Sequence, residues 1–175
     1  MKILKYSLFT ILGILLIGGV SLYFWLNSSK PTYEGAVSIP GLKDSVDVHF
    51  DDFGVPHIEA KNMHDLYMAF GYVHAQDRLF QMELLRRAGS GRLSDVLGKK
   101  LLKADVLLRT IGLGAYADSS AAQMEQHKDS PMYADMLAYL EGVNAFLHNG
   151  PTPPEFSIIG IEKVDFTISD MFCIN

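Results

Sequence analysis

No charged side chain interrupts the 24 residues from Tyr6 to Ser29, and this run constrains the chain more than any other feature. As a helix rising about 1.5 Å per residue it would reach ~36 Å, enough for a hydrocarbon core of about 30 Å. Cleaved signals usually have a shorter apolar region followed by small residues. Here the run is longer and closes on Tyr23, Phe24 and Trp25, side chains suited to a membrane interface. The reading is a retained anchor, with a secreted product after signal cleavage as the alternative. Lys2 and Lys5 favour a cytoplasmic tip, so the expected location is a single-pass cell-membrane protein with its body outside the cytoplasm.

Three of the 15 basic residues (Lys2, Lys5, Lys30) precede the first acid, Glu34. The body therefore carries 12 basic against 20 acidic residues. Nucleic-acid binding needs a basic stripe to displace counterions, and this balance excludes it. The single cysteine, Cys173, makes neither an internal disulfide nor a thiolate metal site.

The Pro/Gly-containing stretch after the anchor reads as a linker, 30–44, leading to a body over 45–175. Val46, Val48 and Phe50 alternate with Asp47, His49 and Asp51, the period of a half-buried strand. Asp52-Phe53-Gly54 supplies turn chemistry, and Val55 to Ala60 returns as a second strand, edge-placed or irregular because Pro56 lacks an amide donor. From Met63 the period lengthens. Leu66, Phe70, Val73, Phe80 and Leu84 make a helical stripe, but Tyr67, Ala75, Leu79 and Met82 leave the other sides apolar too. Such a helix is buried on most faces. It is expected to end near Arg87, before Gly89 and Gly91.

Ser94 reads as the cap of a short helix. Lys103 to Ala122 reads as another helix, weakened in its middle by Gly112 and Gly114. Ser130-Pro131 starts a further helix with the stripe Met136, Leu137, Leu140, Val143 and Leu147, ending before Gly150. Thr152 to Pro154 is an extended break.

His74, Asp77, Arg78 and Gln81 fall on one ridge of the long helix. The functional reading is a His–Asp acid/base pair. The favoured reading is a buried packing network in which Arg78 neutralises Asp77. Arg86, Arg87 and Arg92 read as helix-end and loop contacts to carboxylates. Asp47, His49 and Asp51 share a strand face that would suit a divalent metal, though a solvated face is the commoner outcome. The histidines at 49, 57, 64, 74, 127 and 148 form neither HxH nor HExxH. Gly89-Ser90-Gly91 follows a helix, unlike the strand-to-helix elbow of an esterase. Gly112-Leu113-Gly114 is too short a signal for a phosphate cradle. From the residues alone no catalytic, cofactor-binding or metal site is assigned.

Six segments carry a resemblance: FDDFGVPHIEA (50–60), GYVHAQDRLFQMELLRR (71–87), GRLSDVLG (91–98), DVLLR (105–109), YLEGVNAFL (139–147) and PPEF (153–156). In this order they resemble the α-chain of the penicillin acylase family of N-terminal-nucleophile hydrolases, which includes penicillin, cephalosporin and acyl-homoserine-lactone acylases. The resemblance implies a precursor that cleaves itself into α and β chains, with the serine that opens the β chain as nucleophile. Its own α-amino group, with a pKa of about 7.7–8.0, would act as base. The implied fold class is α+β, a mostly helical portion of the four-layer αββα fold carrying a β-hairpin, here preceded by a transmembrane helix.

Asp170 would begin a helix whose later turns contact the acyl group and, in some members, hold calcium. Only Met171 to Asn175 of that helix stand here, and Phe166 occupies a position where the family commonly has Trp. No catalytic or substrate residue carries over. The expected function is therefore the N-terminal part of an amidohydrolase precursor acting on linear amides of N-acylated small molecules, incomplete without its β chain. Its expected partners are that β chain, the N-acylated substrate, and the membrane through residues 6–29. No cofactor is expected in this portion, and calcium, where a member of the family holds it, belongs to the complete enzyme. The alternatives are a membrane-anchored, non-catalytic helical binding module and an α-subunit encoded apart from its β chain.

Overall fold

The computed structural model describes the backbone of residues 2–174, with side chains at residue 6 and over 11–174. The chain divides into two units between Lys30 and Pro31. The first is one helix, α1 (Lys2–Ser28). From Ile11 to Ser28 none of its side chains is buried, and the segment is long and apolar enough to cross a membrane, a test that a signal sequence also passes. Ser28 and Ser29 close it by donating their hydroxyls to the Trp25 carbonyl at 2.8 and 3.2 Å.

The second unit opens with the antiparallel hairpin β1 (Asp47–Phe50) and β2 (Pro56–Glu59), the single sheet among the described residues. Its register pairs Val48 with Ile58 and Phe50 with Pro56. The period-2 pattern therefore places Val48, Phe50, Pro56 and Ile58 on the half-buried face, with Asp47, His49, His57 and Glu59 outward. Helix α2 (Met63–Gly89) follows, capped by Asn62, whose side chain accepts from the Asp65 N–H at 2.9 Å. Then come α3 (Ser94–Leu97), a 3₁₀ turn (Lys99–Leu101), α4 (Leu102–Ile111), α5 (Leu113–Glu125), α6 (Pro131–Asn149), α7 (Pro154–Ile159) and α8 (Ile168–Ile174). Ser130 caps α6 by accepting from the Tyr133 N–H, with Pro131 at the first turn.

The core is the packing of α2 on α6. The two helices meet at Gly71 and Gly142. A Cβ on Gly71 would lie 2.0 Å from the Tyr139 carbonyl oxygen, and one on Gly142 1.9 Å from that of Met68. Around this contact Ala75, Leu79, Met82, Val143, Phe146 and Leu147 are buried, joined by Phe156 of α7 and by Ile161 and Phe166 beyond it.

Three expectations change. Val73 of the expected stripe is buried, but Phe70 is 46% exposed, and the deepest apolar side chains of α2 are Met68, Ala69, Ala75, Leu79 and Met82. A helix apolar on several sides leaves the choice of buried face to its neighbour, and α6 selects this one. The helix expected over Lys103–Ala122 is two. Gly112 takes φ +83, the left-handed region, and ends α4 before α5 begins. Ser94 stands inside α3 and Leu93 occupies the cap position.

Candidate functional site

The ridge of α2 divides instead of forming a network. His74 is half-buried and shares a 2.7 Å hydrogen bond with the Tyr139 hydroxyl. It also stacks on Phe70, with ring centroids 5.9 Å apart. Burial first, then the Arg78 charge, lower its pKa against the opposing pull of Asp77, so its imidazole is held neutral. Burial pushes the Tyr139 hydroxyl up to about 12. Asp77 and Arg78 are exposed. Asp77 Oδ1 accepts from the Tyr33 hydroxyl at 3.0 Å, and Arg78 Nη1 donates to Gln81 Oε1 at 3.5 Å. The expected buried Asp77–Arg78 pair does not form. With Ala75, Leu79 and Met82 turned to α6, helical geometry sends positions 77, 78 and 81 outward.

The acidic face of the hairpin does not converge either. Asp47 and His49 project to solvent, while Asp51 is committed to the turn. Its Oδ1 accepts from the N–H groups of Phe53 and Val55, both at 2.9 Å, and Oδ2 lies 3.4 Å from His57 Nε2. The Val55 hydrogen bond leads the groups that hold this carboxyl below its ordinary value, against a smaller opposing effect of desolvation. Among the described residues no group of three or more His, Cys, Asp and Glu is placed to hold a metal.

The most ordered polar assembly lies at the far end of α2. Glu83 is fully buried and accepts from Arg86 Nε and Arg87 Nε, each at 2.5 Å. Arg86 also donates to the Asp165 carbonyl at 3.3 Å, lies 3.8 Å from Asp170 Oδ2, and sits over the Phe166 ring at 4.3 Å. Arg87 reaches toward Asp95 at 3.9 Å. The carboxylate contacts expected of Arg86 and Arg87 are present, whereas Arg92 donates to the Ser90 hydroxyl. A glutamate followed by arginines at i+3 and i+4 is the spacing that permits a shared pair, and it is the one sequence signal for Glu83.

Asn144 of α6 completes the assembly, donating to the Phe166 carbonyl at 3.0 Å and accepting from its N–H at 2.8 Å. The Asp170 side chain caps α8 through the Thr167 N–H and hydroxyl, at 2.9 and 2.8 Å.

The nucleophile candidates are occupied. The Ser90 hydroxyl donates to the Arg86 carbonyl at 2.8 Å. Cys173 is half-buried against Gly89, and burial, followed by the Asp170 and Asp118 charges, pushes its thiol up. A protonated thiol is a poor nucleophile. Between α2 and α6 runs a groove of about 360 Å³ walled by Tyr67, Phe70, Met136 and Tyr139, with His74 as its neutral polar group and Met171 closing one side. Neither the groove nor the arginine cluster brings a nucleophile, a base and oxyanion donors together. What these side chains do is orient helices.

Residues 45–175 match the family model described as penicillin amidase. The penicillin acylase 2 proenzyme of Pseudomonas sp. (strain SE83) is 45% identical over 141 residues, covering 78% of this chain and 17% of that protein. The acyl-homoserine lactone acylase QuiP of Pseudomonas aeruginosa is 36% identical over 138 residues, 76% of this chain and 16% of that one. Among solved structures, a thermostable penicillin G acylase from Alcaligenes faecalis superposes with a TM-score of 0.60 at 31% identity, covering 74% of this chain and 69% of that chain. The chain thus spans about a sixth of the length of these curated relatives.

Proposed function

The chain belongs to the penicillin amidase family, and from that premise we propose that it is the amino-terminal part of an acylase-type amidohydrolase precursor whose reacting groups lie outside residues 45–175. The family match over a sixth of the relatives' length carries this reading. The first of those relatives is itself named a proenzyme. The reaction is hydrolysis of a linear amide in an N-acylated small molecule, a β-lactam side chain or an acyl-homoserine lactone. A serine at the start of a β chain attacks the acyl carbon, and its own free amine takes the hydroxyl proton. Backbone donors hold the oxyanion while the C–N bond breaks and the amine leaves with the proton from the α-ammonium, and water then attacks the acyl-serine ester and releases the acid.

Residues 45–175 contribute the hairpin and the α2–α6 pair to the scaffold on which the β chain's layers rest, in an αββα arrangement. Helix α1 tethers this body to the membrane on the extracytoplasmic side.

The test is assay of two proteins. The purified chain alone is expected to release no acid from N-acylated substrates. The SE83 proenzyme carrying residues 45–175 in place of its own segment is expected to mature and hydrolyse its substrate. Steady turnover by the chain alone overturns the proposal. Fractionation of cells addresses the tether: a full-mass product resisting alkaline extraction from membranes supports it, and a shortened soluble one means α1 is removed.

A further inference from the structure

We propose that residues 161–174 form a strap that opens from the α2–α6 core as a unit, and that Arg86 is its latch. The strap starts after Gly160, whose φ of +76 turns the chain at the end of α7. Only two of its side chains, Ile161 and Phe166, are deeply buried, with Ile168, Met171 and Ile174 packed at the edge of the core.

Helix α8 also rests along α5 and α2, and polar ties reach the strap from three helices. Asn144 holds both backbone groups of Phe166. His148 Nε2 lies 2.6 Å from Asp165 Oδ1, and the Ser169 hydroxyl donates to Asp118 Oδ1 at 2.6 Å. Arg86 meets three strap positions with one group, the carbonyl of 165, the ring of 166 and the carboxylate of 170. Polar contacts are exchanged for water on opening and hold less strongly than buried apolar area, so such a segment opens before the core does. Only the planar fork of arginine serves a carbonyl, a ring face and a carboxylate together, and lysine's point charge does not.

Cys173 reports on the strap, since its Cβ and Sγ press on Gly89 of α2. The inference concerns this chain directly and stands whether or not the acylase reading does.

The test is the rate at which a neutral aromatic disulfide reacts with Cys173 in the full chain under native conditions, read beside the far-ultraviolet circular dichroism. Arg86→Lys and Arg86→Met are expected to raise that rate by about tenfold or more with the helical signal retained. An unchanged rate in either folded variant overturns the latch. Should neither variant fold, hydrogen exchange of the unmodified chain decides. Amides of 165–174 are expected to exchange about tenfold or more faster than those of the α2–α6 contact. Equal exchange in the two regions overturns the strap.

Discussion

Gly71 and Gly142 determine how closely the two central helices approach, because each lets the other's backbone in. A methyl group at either position would stand about 2 Å from a carbonyl oxygen that belongs to a packed helix and has nowhere to go. Gly71→Ala or Gly142→Ala is therefore expected to destabilise the chain by about 3 kcal/mol or more despite alanine's better helix propensity. A denaturant midpoint equal to that of the unmodified chain would show the helices free to separate. The polar residues divide in the same way by burial. Glu83→Ala leaves Arg86 and Arg87 without their shared carboxylate and is expected to cost about 3–5 kcal/mol. Asp77→Ala, which loses an exposed hydrogen bond from Tyr33, is expected to change stability by no more than about 0.5 kcal/mol. The same urea titrations read both. The sequence shows a Glu–Arg–Arg spacing and an Asp–Arg ridge with equal clarity. Which of them is buried depends on the face α6 covers, and helical period cannot supply that where apolar residues surround the axis.

At the level of elements, one device appears twice. A carboxylate on a helix holds two successive N–H groups of an earlier segment. Asp65 takes those of Lys43 and Asp44, at 3.0 and 2.9 Å, and Asp105 takes those of Leu93 and Ser94, both at 2.8 Å. Burial alone would raise both pKa values. For Asp65 the Lys43 N–H, His64, Asn62 and the Asp44 N–H outweigh it, and for Asp105 the Ser94 side chain and N–H, the Leu93 N–H and Arg109 do so. Both carboxyls end below their ordinary 3.8. A folded value below the unfolded one means stability that is fully present above about pH 4 and is lost as pH falls through the folded values. The urea midpoint is thus expected to drop as the pH falls below about 4, and less steeply in Asp65→Asn and Asp105→Asn. Parallel slopes in all three proteins would mean that the anchors contribute nothing. Helix ends were legible because caps are local, as Ser130-Pro131 shows. These anchors reach across 11 to 22 residues, a separation at which no local pattern marks a partner. The break at Gly112 was half legible. Helix propensity marks glycine there only as weakening a helix, whereas its left-handed backbone joins two.

For the molecule as a whole, α4 turns its amphipathic character outward. Asp105 is buried as an anchor and Ala104 and Leu108 are partly covered, which leaves Leu102, Val106, Leu107 and Ile111 each more than half exposed. Leu113 and Tyr116 extend this surface onto α5 at 42% and 69% exposure. Contiguous apolar area beyond a few hundred Å² is uncommon on monomeric soluble proteins. Such a face favours loss of solubility through self-association. The packed α2–α6 core narrows that to association through one face while internal packing persists. Residues 31–175 are accordingly expected to sediment as dimers or larger species at about 10–100 µM, with a cooperative melt and intact near-ultraviolet dichroism. Leu107→Lys combined with Ile111→Lys places two charges on that face and is expected to shift the population toward monomer, since like charges repel across an interface of identical copies. The far-ultraviolet signal should stay the same, because neither side chain enters the core. Association unaffected by these substitutions would assign it to another surface, and a monomeric parent would mean that α4 tolerates water without a cover.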